Sequence, residues 1–289
     1  MEQRSLWQAG RFSLELHCRS ECRPLIMGVV NLTPDSFSDG GEYFSMGNVN
    51  PGIAHARRLL DEGADILDIG GESTRPGALE VDAETEWRRL APVIEAAREW
   101  QVPISLDSRK PIIMQRGLQA GVDILNDVSG FRDRDAQRLL AESKAGAVVM
   151  HMSGDPHTMQ LAPHYGDPVV EVGRYLDGQV QHLLSRGVAR ERLLIDPGIG
   201  FGKTTAHNVA LLQAIGELST IAGVLVGVSR KSMIGELTAQ ADPAKRLAGS
   251  VAAALFAASL GACVLRVHDV RATVDACRVW AALSRREPA

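Results

Sequence analysis

From Leu25 onward one pattern recurs along the chain: a glycine, a small residue, an aliphatic run, then a polar side chain. It appears as Gly63-Ala64-Asp65-Ile66-Leu67-Asp68-Ile69-Gly70 and as Gly121-Val122-Asp123-Ile124-Leu125-Asn126. It returns as Gly146-Ala147-Val148-Val149-Met150-His151 and as Gly261-Ala262-Cys263-Val264-Leu265-Arg266. Aliphatic runs without polar alternation read as strands buried on both faces. Glycine just past a helix end is the usual left-handed cap. Each copy therefore reads as helix, glycine, strand, and the repetition indicates a βα architecture. Four further runs, Leu25–Asn31, Pro103–Asp107, Leu193–Asp196 and Val224–Ser229, bring the strands to about eight.

Helical spacing fills the gaps. Asn50 and Pro51 suit the cap and first residue of a helix whose Ile53, Ala56 and Leu60 share a face. Trp87, Leu90, Ile94 and Ala97 do the same, with Pro92 expected to kink or split that helix. Asp167-Pro168 opens a helix with Val172, Leu176 and Leu183 inward and Gly187 at its end. The last helix aligns Val270, Val274, Cys277 and Ala281. Eight such units over about 250 residues predict an α/β fold, a (β/α)₈ TIM barrel. An open doubly wound sheet uses the same local units and is the alternative. Upstream, Leu6 to Cys18 alternates loosely and predicts a short β-hairpin. The expected organisation is an N-terminal hairpin extension over residues 1-24 and a barrel over 25-289, in a single domain. The segment Arg246 to Leu260 is apolar nearly all round. A barrel helix needs one buried face, so the other is expected to meet a second copy in a homodimer, with shelter by neighbouring helices as the plain alternative.

Composition narrows the function classes. At 45% hydrophobic and 23% charged the chain is an ordinary globular one. A net charge of −4 offers no general attraction to nucleic acid or anionic lipid, so any anion site must be local. No run approaches membrane-spanning length, and the charged N-terminus lacks a signal peptide's apolar stretch. Cys18, Cys22, Cys263 and Cys277 form no C-x-x-C pair and read as reduced, in a cytoplasmic protein. On that reading the sequon Asn31-Leu32-Thr33 is irrelevant.

The stretch Leu193 to Thr204 draws the most attention. A buried strand ends on Asp196, and Pro197 with three glycines then stops regular structure. A carboxylate beside a loop whose backbone a ligand can approach suggests binding; a turn-capping Asp is the plain alternative. Gly202-Lys203-Thr204 imitates the end of a Walker loop, but the first glycine of that loop would fall on Pro197, which cannot make the turn.

In a barrel, ligands bind at the C-terminal strand ends. Those ends read Asn31, Gly70-Gly71-Glu72, Asp107, Asn126, His151, Asp196, Ser229-Arg230-Lys231 and Arg266-Val267-His268. Singly, each is more often a loop cap than a ligand; their convergence is what points to a site. Asp107, Asn126 and Asp196 can read a flat heterocycle, in a pocket also lined by Met150 and Phe201. Arg266, His268 and Arg75 can hold an anion, and Lys231 can serve either purpose. No Ser/His/Asp set and no His/Cys zinc cluster is evident. A hard cation held by Asn31 and a diphosphate needs no protein cage. The loops NLTPDSFSDGG (31–41) and GGESTRPG (70–77) read as lids, the first carrying Phe37.

These segments, with MGVVNLTPDSFSDGG, DILDIGGESTRPGA, ISLDSRKP, ILNDVSG, VVMHM, LLIDPGIGFGKT, VGVSRKSMIG and LRVHDV in that order, resemble the bacterial dihydropteroate synthases from about Leu25 to the C-terminus. No motif residue departs from the family pattern. The resemblance implies condensation of 6-hydroxymethyl-7,8-dihydropterin diphosphate with para-aminobenzoate, giving dihydropteroate and diphosphate. It implies that Asp107, Asn126, Asp196 and Lys231 hold the pterin, with Arg266 flanking it and gripping the diphosphate together with His268. Asn31 would ligate Mg²⁺, with Thr74 and Arg75 supplied by the second loop. Phe37, Pro76, Lys231 and Ser232 would border the aminobenzoate, and Asp35 would lie near the reacting carbon. Loss of diphosphate before attack by the amine would need charge neutralisation and shelter rather than a strong base. A methyltetrahydrofolate:corrinoid methyltransferase has a similar pterin pocket but no diphosphate to bind, so the SRKS and RVH segments disfavour it. A non-catalytic pterin-binding paralogue is the other alternative.

Overall fold

The computed structural model describes residues 5–16, 23–33, 50–73, 80–154, 159 and 163–284. A hairpin of β1 (Ser5–Ala9) and β2 (Phe12–Leu16) comes first, as expected. Eight parallel strands follow: β3 (Leu25–Asn31), β4 (Ile66–Gly70), β5 (Ile104–Asp107), β6 (Ile124–Asp127), β7 (Gly146–Met150), β8 (Leu193–Asp196), β9 (Gly223–Val226) and β10 (Ala262–Val267). They pair in chain order, and β10 closes on β3, so the sheet is a barrel and not the open alternative.

Between the strands lie α1 (Pro51–Asp61), α2 (Ala83–Arg98), α3 (Pro111–Ala120), α4 (Arg134–Glu142) and α5 (Pro168–Ser185). The short pair α6 (Thr205–Gln213) and α7 (Ile215–Leu218) follows β8; α8 (Ser232–Thr238), α9 (Leu247–Ser259) and α10 (Val270–Ser284) complete the ring. The Asn50 side chain accepts from the Gly52 N–H at 2.9 Å, the cap its position predicts. Helix α2 is not split: it runs unbroken through Pro92. Pro92 is solvent-exposed, so water can satisfy the carbonyl that its missing N–H leaves unbonded. Strand β9 stops at Val226, short of the expected Ser229, and a turn with Arg230 at φ 60° takes over.

Three of the four repeating glycines are left-handed caps, Gly63, Gly121 and Gly261, with φ of 103°, 94° and 108°. Gly146 is not. It opens β7 against the hairpin, where a Cβ would lie 3.1 Å from both the Gln8 carbonyl and Trp7 Nε1. The glycine there serves close approach rather than chain reversal.

That approach matters because the hairpin closes the barrel floor. Trp7, Ala9 and Leu16 join Met27, Ile66, Ile124, Val148, Leu194, Leu225 and Val264 in one buried cluster. Trp7 also donates from Nε1 to the Arg192 carbonyl at 3.0 Å. Burying roughly 200 Å² of indole at ~25 cal/mol per Å² is worth ~5 kcal/mol. Arg11 at the turn pairs with buried Asp123 at 2.9 Å, locking the hairpin to the β5–β6 side. Outward faces of the strands pack under the helices in a second, larger core.

Candidate active site

Side chains two apart on a strand share a face. Counting two forward from the floor residues Ile66, Ile124, Val148, Leu194 and Val264 gives Asp68, Asn126, Met150, Asp196 and Arg266. The polar residues at the far end are thus the next interior layer, above a dry floor. Register sets their neighbours: Asp107 lies opposite Gly70 and Asn126, and Met150 opposite Asp196.

Asp68 sits at the centre of one cluster and is fully buried. It accepts from Arg266 Nε at 2.6 Å, from the Ser105 hydroxyl at 2.6 Å, and from Asn126 Nδ2 at 3.3 Å. Arg266 also donates through Nη2 to Asp107 at 2.6 Å. The guanidinium therefore bridges two carboxylates. Burial opposes its charge, but Asp68 and Asp107 outweigh that and hold its pKa above the ordinary value. Burial pushes Asp107 up to about 7; Arg266 opposes this and the Asp68 charge adds to it. The sequence analysis did not single out Asp68. Its signal was present, since a charged residue inside Ile66-Leu67-Asp68-Ile69-Gly70 must find a buried partner.

The second cluster lies across the mouth on β8 and the β9–α8 turn. Asp196 accepts from the Gly198 N–H at 2.7 Å, and burial raises its pKa despite the Lys231 charge. Lys231 donates to the Ile199 carbonyl, and its ammonium stands 4.8 Å from the Phe201 ring centroid. Burial draws Lys231 down to about 8, against Asp196. Phe201 packs on Met150, Met152, Val128 and Met159, an apolar wall at the mouth. Ser232, exposed, opens α8.

Beneath this wall is the discounted Walker lysine. Lys203 is 3% exposed and donates to the Gly198 and Phe201 carbonyls at 2.9 and 3.0 Å. It also contacts His151 Nδ1 at 2.9 Å and the His151 carbonyl at 3.3 Å. His151 is thereby a support for the loop after β8 rather than a strand-end ligand. Burial, with the Lys203 charge, lowers it to about 3. The loop fits closely: a Cβ on Gly198 (φ 67°) would sit 1.9 Å from the His151 carbonyl oxygen.

Two other strand-end groups are partly engaged. Arg230 turns to Asp269, with contacts of 2.5 and 2.9 Å, and so is not a mouth residue. His268 Nδ1 lies 3.1 Å from the Ser229 hydroxyl. Asn31 ends β3 and is half-buried. Of the remaining expected site residues, Asp35 and Phe37 on the first loop and Thr74, Arg75 and Pro76 on the second lie outside the described residues, as do Cys18 and Cys22. The stems of the second loop are described. Lys110 joins Glu72, Glu86 (2.6 Å) and the Val81 carbonyl (2.5 Å), tying the residues before the loop to those after it.

A closed parallel barrel with opposed carboxylates and cations at its C-terminal mouth is the layout of a barrel enzyme. A family model described as pterin binding enzyme matches residues 27–268. A dihydropteroate synthase of Neisseria meningitidis serogroup B is 52% identical, covering 97% of this chain and 98% of its own. Among solved structures, the Xanthomonas albilineans dihydropteroate synthase with 4-aminobenzoic acid superposes with a TM-score of 0.90. It is 47% identical and covers 99% of this chain and 100% of its own. The Burkholderia cenocepacia enzyme complexed with 7,8-dihydropteroate gives 0.85 at 42% identity, covering 98% of each chain. The chain belongs to the pterin-binding enzymes and, within them, to the dihydropteroate synthases.

Proposed function

We propose that this chain joins 6-hydroxymethyl-7,8-dihydropterin diphosphate to para-aminobenzoate, releasing diphosphate and forming 7,8-dihydropteroate. The observation that carries the reading is the interior layer itself. Asp107, Asn126 and Asp196 supply acceptors on one side of an apolar wall, and Arg266 and Lys231 supply cations beside them. A pterin edge rich in N–H groups suits the first set and a diphosphate the second.

On this reading Asp107, Asn126, Asp196 and Lys231 bind the pterin between Met150 and Phe201. Arg266 flanks the ring and holds the leaving diphosphate with His268, Asn31, Thr74 and Arg75. Phe37, Pro76, Lys231 and Ser232 border the aminobenzoate, and Asp35 lies near the reacting carbon. The electron-rich dihydropterin can stabilise a cationic methylene, so bond breaking can lead and the amine can follow. The residues then act by neutralising charge and excluding water, with no strong base required.

Asn31 offers a neutral oxygen, and among the described residues no cluster of three or more His, Cys, Asp or Glu could hold a metal. That donor set fits Mg²⁺, which keeps waters and phosphate oxygens as most of its ligands. When bound, Mg²⁺ would neutralise charge on the departing diphosphate. Leu247 and Phe256 on α9 and Val279 and Leu283 on α10 are exposed and apolar, which supports a homodimer through this side. No described helix is long and apolar enough to cross a membrane, and Cys263 and Cys277 are buried free thiols. Both suit a cytoplasmic enzyme.

The test is turnover of the pterin diphosphate with and without para-aminobenzoate, repeated in excess chelator. Diphosphate release matched to dihydropteroate, and abolished by verified metal removal, is expected. Binding without release would make the chain a silent paralogue; full turnover in chelator would remove Mg²⁺ from the scheme.

A further inference from the structure

We propose that Asp68 is a positioning residue that sets the pocket's specificity through Asn126: it holds the Asn126 amide with its nitrogen inward, so that the carbonyl oxygen faces the ligand. The inference rests on the pterin reading above.

An amide can present either end to a pocket, and turning it by half a revolution exchanges a donor for an acceptor. What decides between the two is the partner on the other side. Here that partner is a carboxylate that already accepts from Arg266 Nε at 2.6 Å and from the Ser105 hydroxyl at 2.6 Å. Its oxygens already accept from those two donors, so the Asn126 NH₂ group is the end that faces it. Both Asp68 oxygens lie 3.3 Å from Asn126 Nδ2. The reversed amide would set oxygen against oxygen in a buried site, where such repulsion is poorly screened.

The other end of the amide is open. Among the described residues Asn126 Oδ1 makes no hydrogen bond, and as none of their buried polar side-chain atoms is unpartnered, it is reachable from the pocket. With Asp107 and Asp196 it gives the mouth a third acceptor. A pocket of three acceptors selects heterocycles that carry N–H groups along one edge over isologues with carbonyls there.

The test compares two probes on wild type, Asp68→Asn and Ser105→Ala: a 2-amino-4-oxopteridine and its 2,4-dioxo isologue, each titrated calorimetrically. Inorganic diphosphate is titrated alongside. Wild type should prefer the amino compound. Asp68→Asn frees the amide to turn, so that preference should shrink about tenfold, the effect of one hydrogen bond. Ser105→Ala loosens Asp68 and should move the preference the same way by less; it carries the test if Asp68→Asn does not fold. Equal weakening of both probes in the folded variants, with the ratio kept, would reduce Asp68 to a packing role and overturn the proposal. Absence of pteridine binding or of any preference in wild type would instead overturn the pterin reading beneath it.

Discussion

Lys203→Met is the sharpest test of how the loop after β8 is held. The change keeps side-chain length and removes a charge and its donors from a site only 3% exposed. Two effects oppose each other near neutrality. The carbonyls of Gly198, Phe201 and His151 and the His151 Nδ1 lose their ammonium partner, at ~1–3 kcal/mol for each acceptor left unpaired. Against this, burial draws Lys203 from 10.5 to about 7, so keeping it charged in the fold costs ~5 kcal/mol, which the variant escapes. The net change at pH 7 is therefore small and uninformative, but its pH dependence is not. For a cation with a depressed folded pKa the penalty is complete below about 7 and is relieved as pH rises toward 10.5, because the unfolded chain then binds the extra proton. Wild type should gain on the variant by ~2 kcal/mol between pH 7 and 9. Asp196 and Lys231 face the same region but remain in both proteins, and His151 is already neutral across this window. Urea unfolding of both proteins at several pH values measures the difference. A difference constant from pH 6.5 to 9 would mean that Lys203 is not a desolvated cation, and its role in the loop would need another basis.

Three further outcomes test the proposed scheme. Asp196→Asn should weaken a pterin analogue by ~2–5 kcal/mol, since an amide then offers a donor to a donor; unchanged affinity by calorimetry would place the pocket elsewhere. Gly198→Ala puts a methyl group 1.9 Å from the His151 carbonyl oxygen at positive φ, so it should lower Tm and pterin affinity together, checked by thermal unfolding and titration. A sulfonamide should bind the free enzyme weakly and more tightly with diphosphate and Mg²⁺ present, if closing the Phe37 and Arg75-Pro76 loops makes the aminobenzoate site. Linkage demands that it tighten diphosphate by the same factor, and equal affinities in paired titrations would refute the lid role.

The barrel was legible because a parallel strand buried on both faces shows itself as an aliphatic run, interrupted in mid-strand by Asp68 in β4 and Ser105 in β5. β9 was overextended at its end, since Val226-Gly227-Val228 stays apolar past the point where the sheet stops, and only the Arg230 turn marks the change. Helix α2 shows the opposite error. A proline inside a helical pattern is a strong stop in isolation, yet an exposed one on a helix packed through Leu90, Val93, Ile94 and Ala97 is tolerated. Of the site, the strand-end residues Asp107, Asn126, Asp196 and Arg266 could be read from position alone. Their pairing could not, because contacts such as Arg266 with Asp68 depend on which strands close the barrel.

The residues that escaped reading share a physical character. Asp68, Lys203 and Lys110 bear charges and are satisfied by groups distant in sequence or by loop carbonyls, and Asp68 in addition lies among apolar neighbours in the chain. Local pattern sees only an interruption there, and motif matching can mislead, as the Walker-like ending at Lys203 does. A buried charge is expensive unless paired, so each such interruption forces the fold to supply a partner. The partners found here are Arg266 for Asp68, the β8 loop for Lys203, and Glu72 with Glu86 for Lys110. All three pairs stand next to elements that carry pterin, diphosphate or aminobenzoate groups in the proposed scheme. On that scheme the buried charges hold in place the residues proposed to meet substrate, and their substitution should alter geometry at the mouth before it alters the barrel.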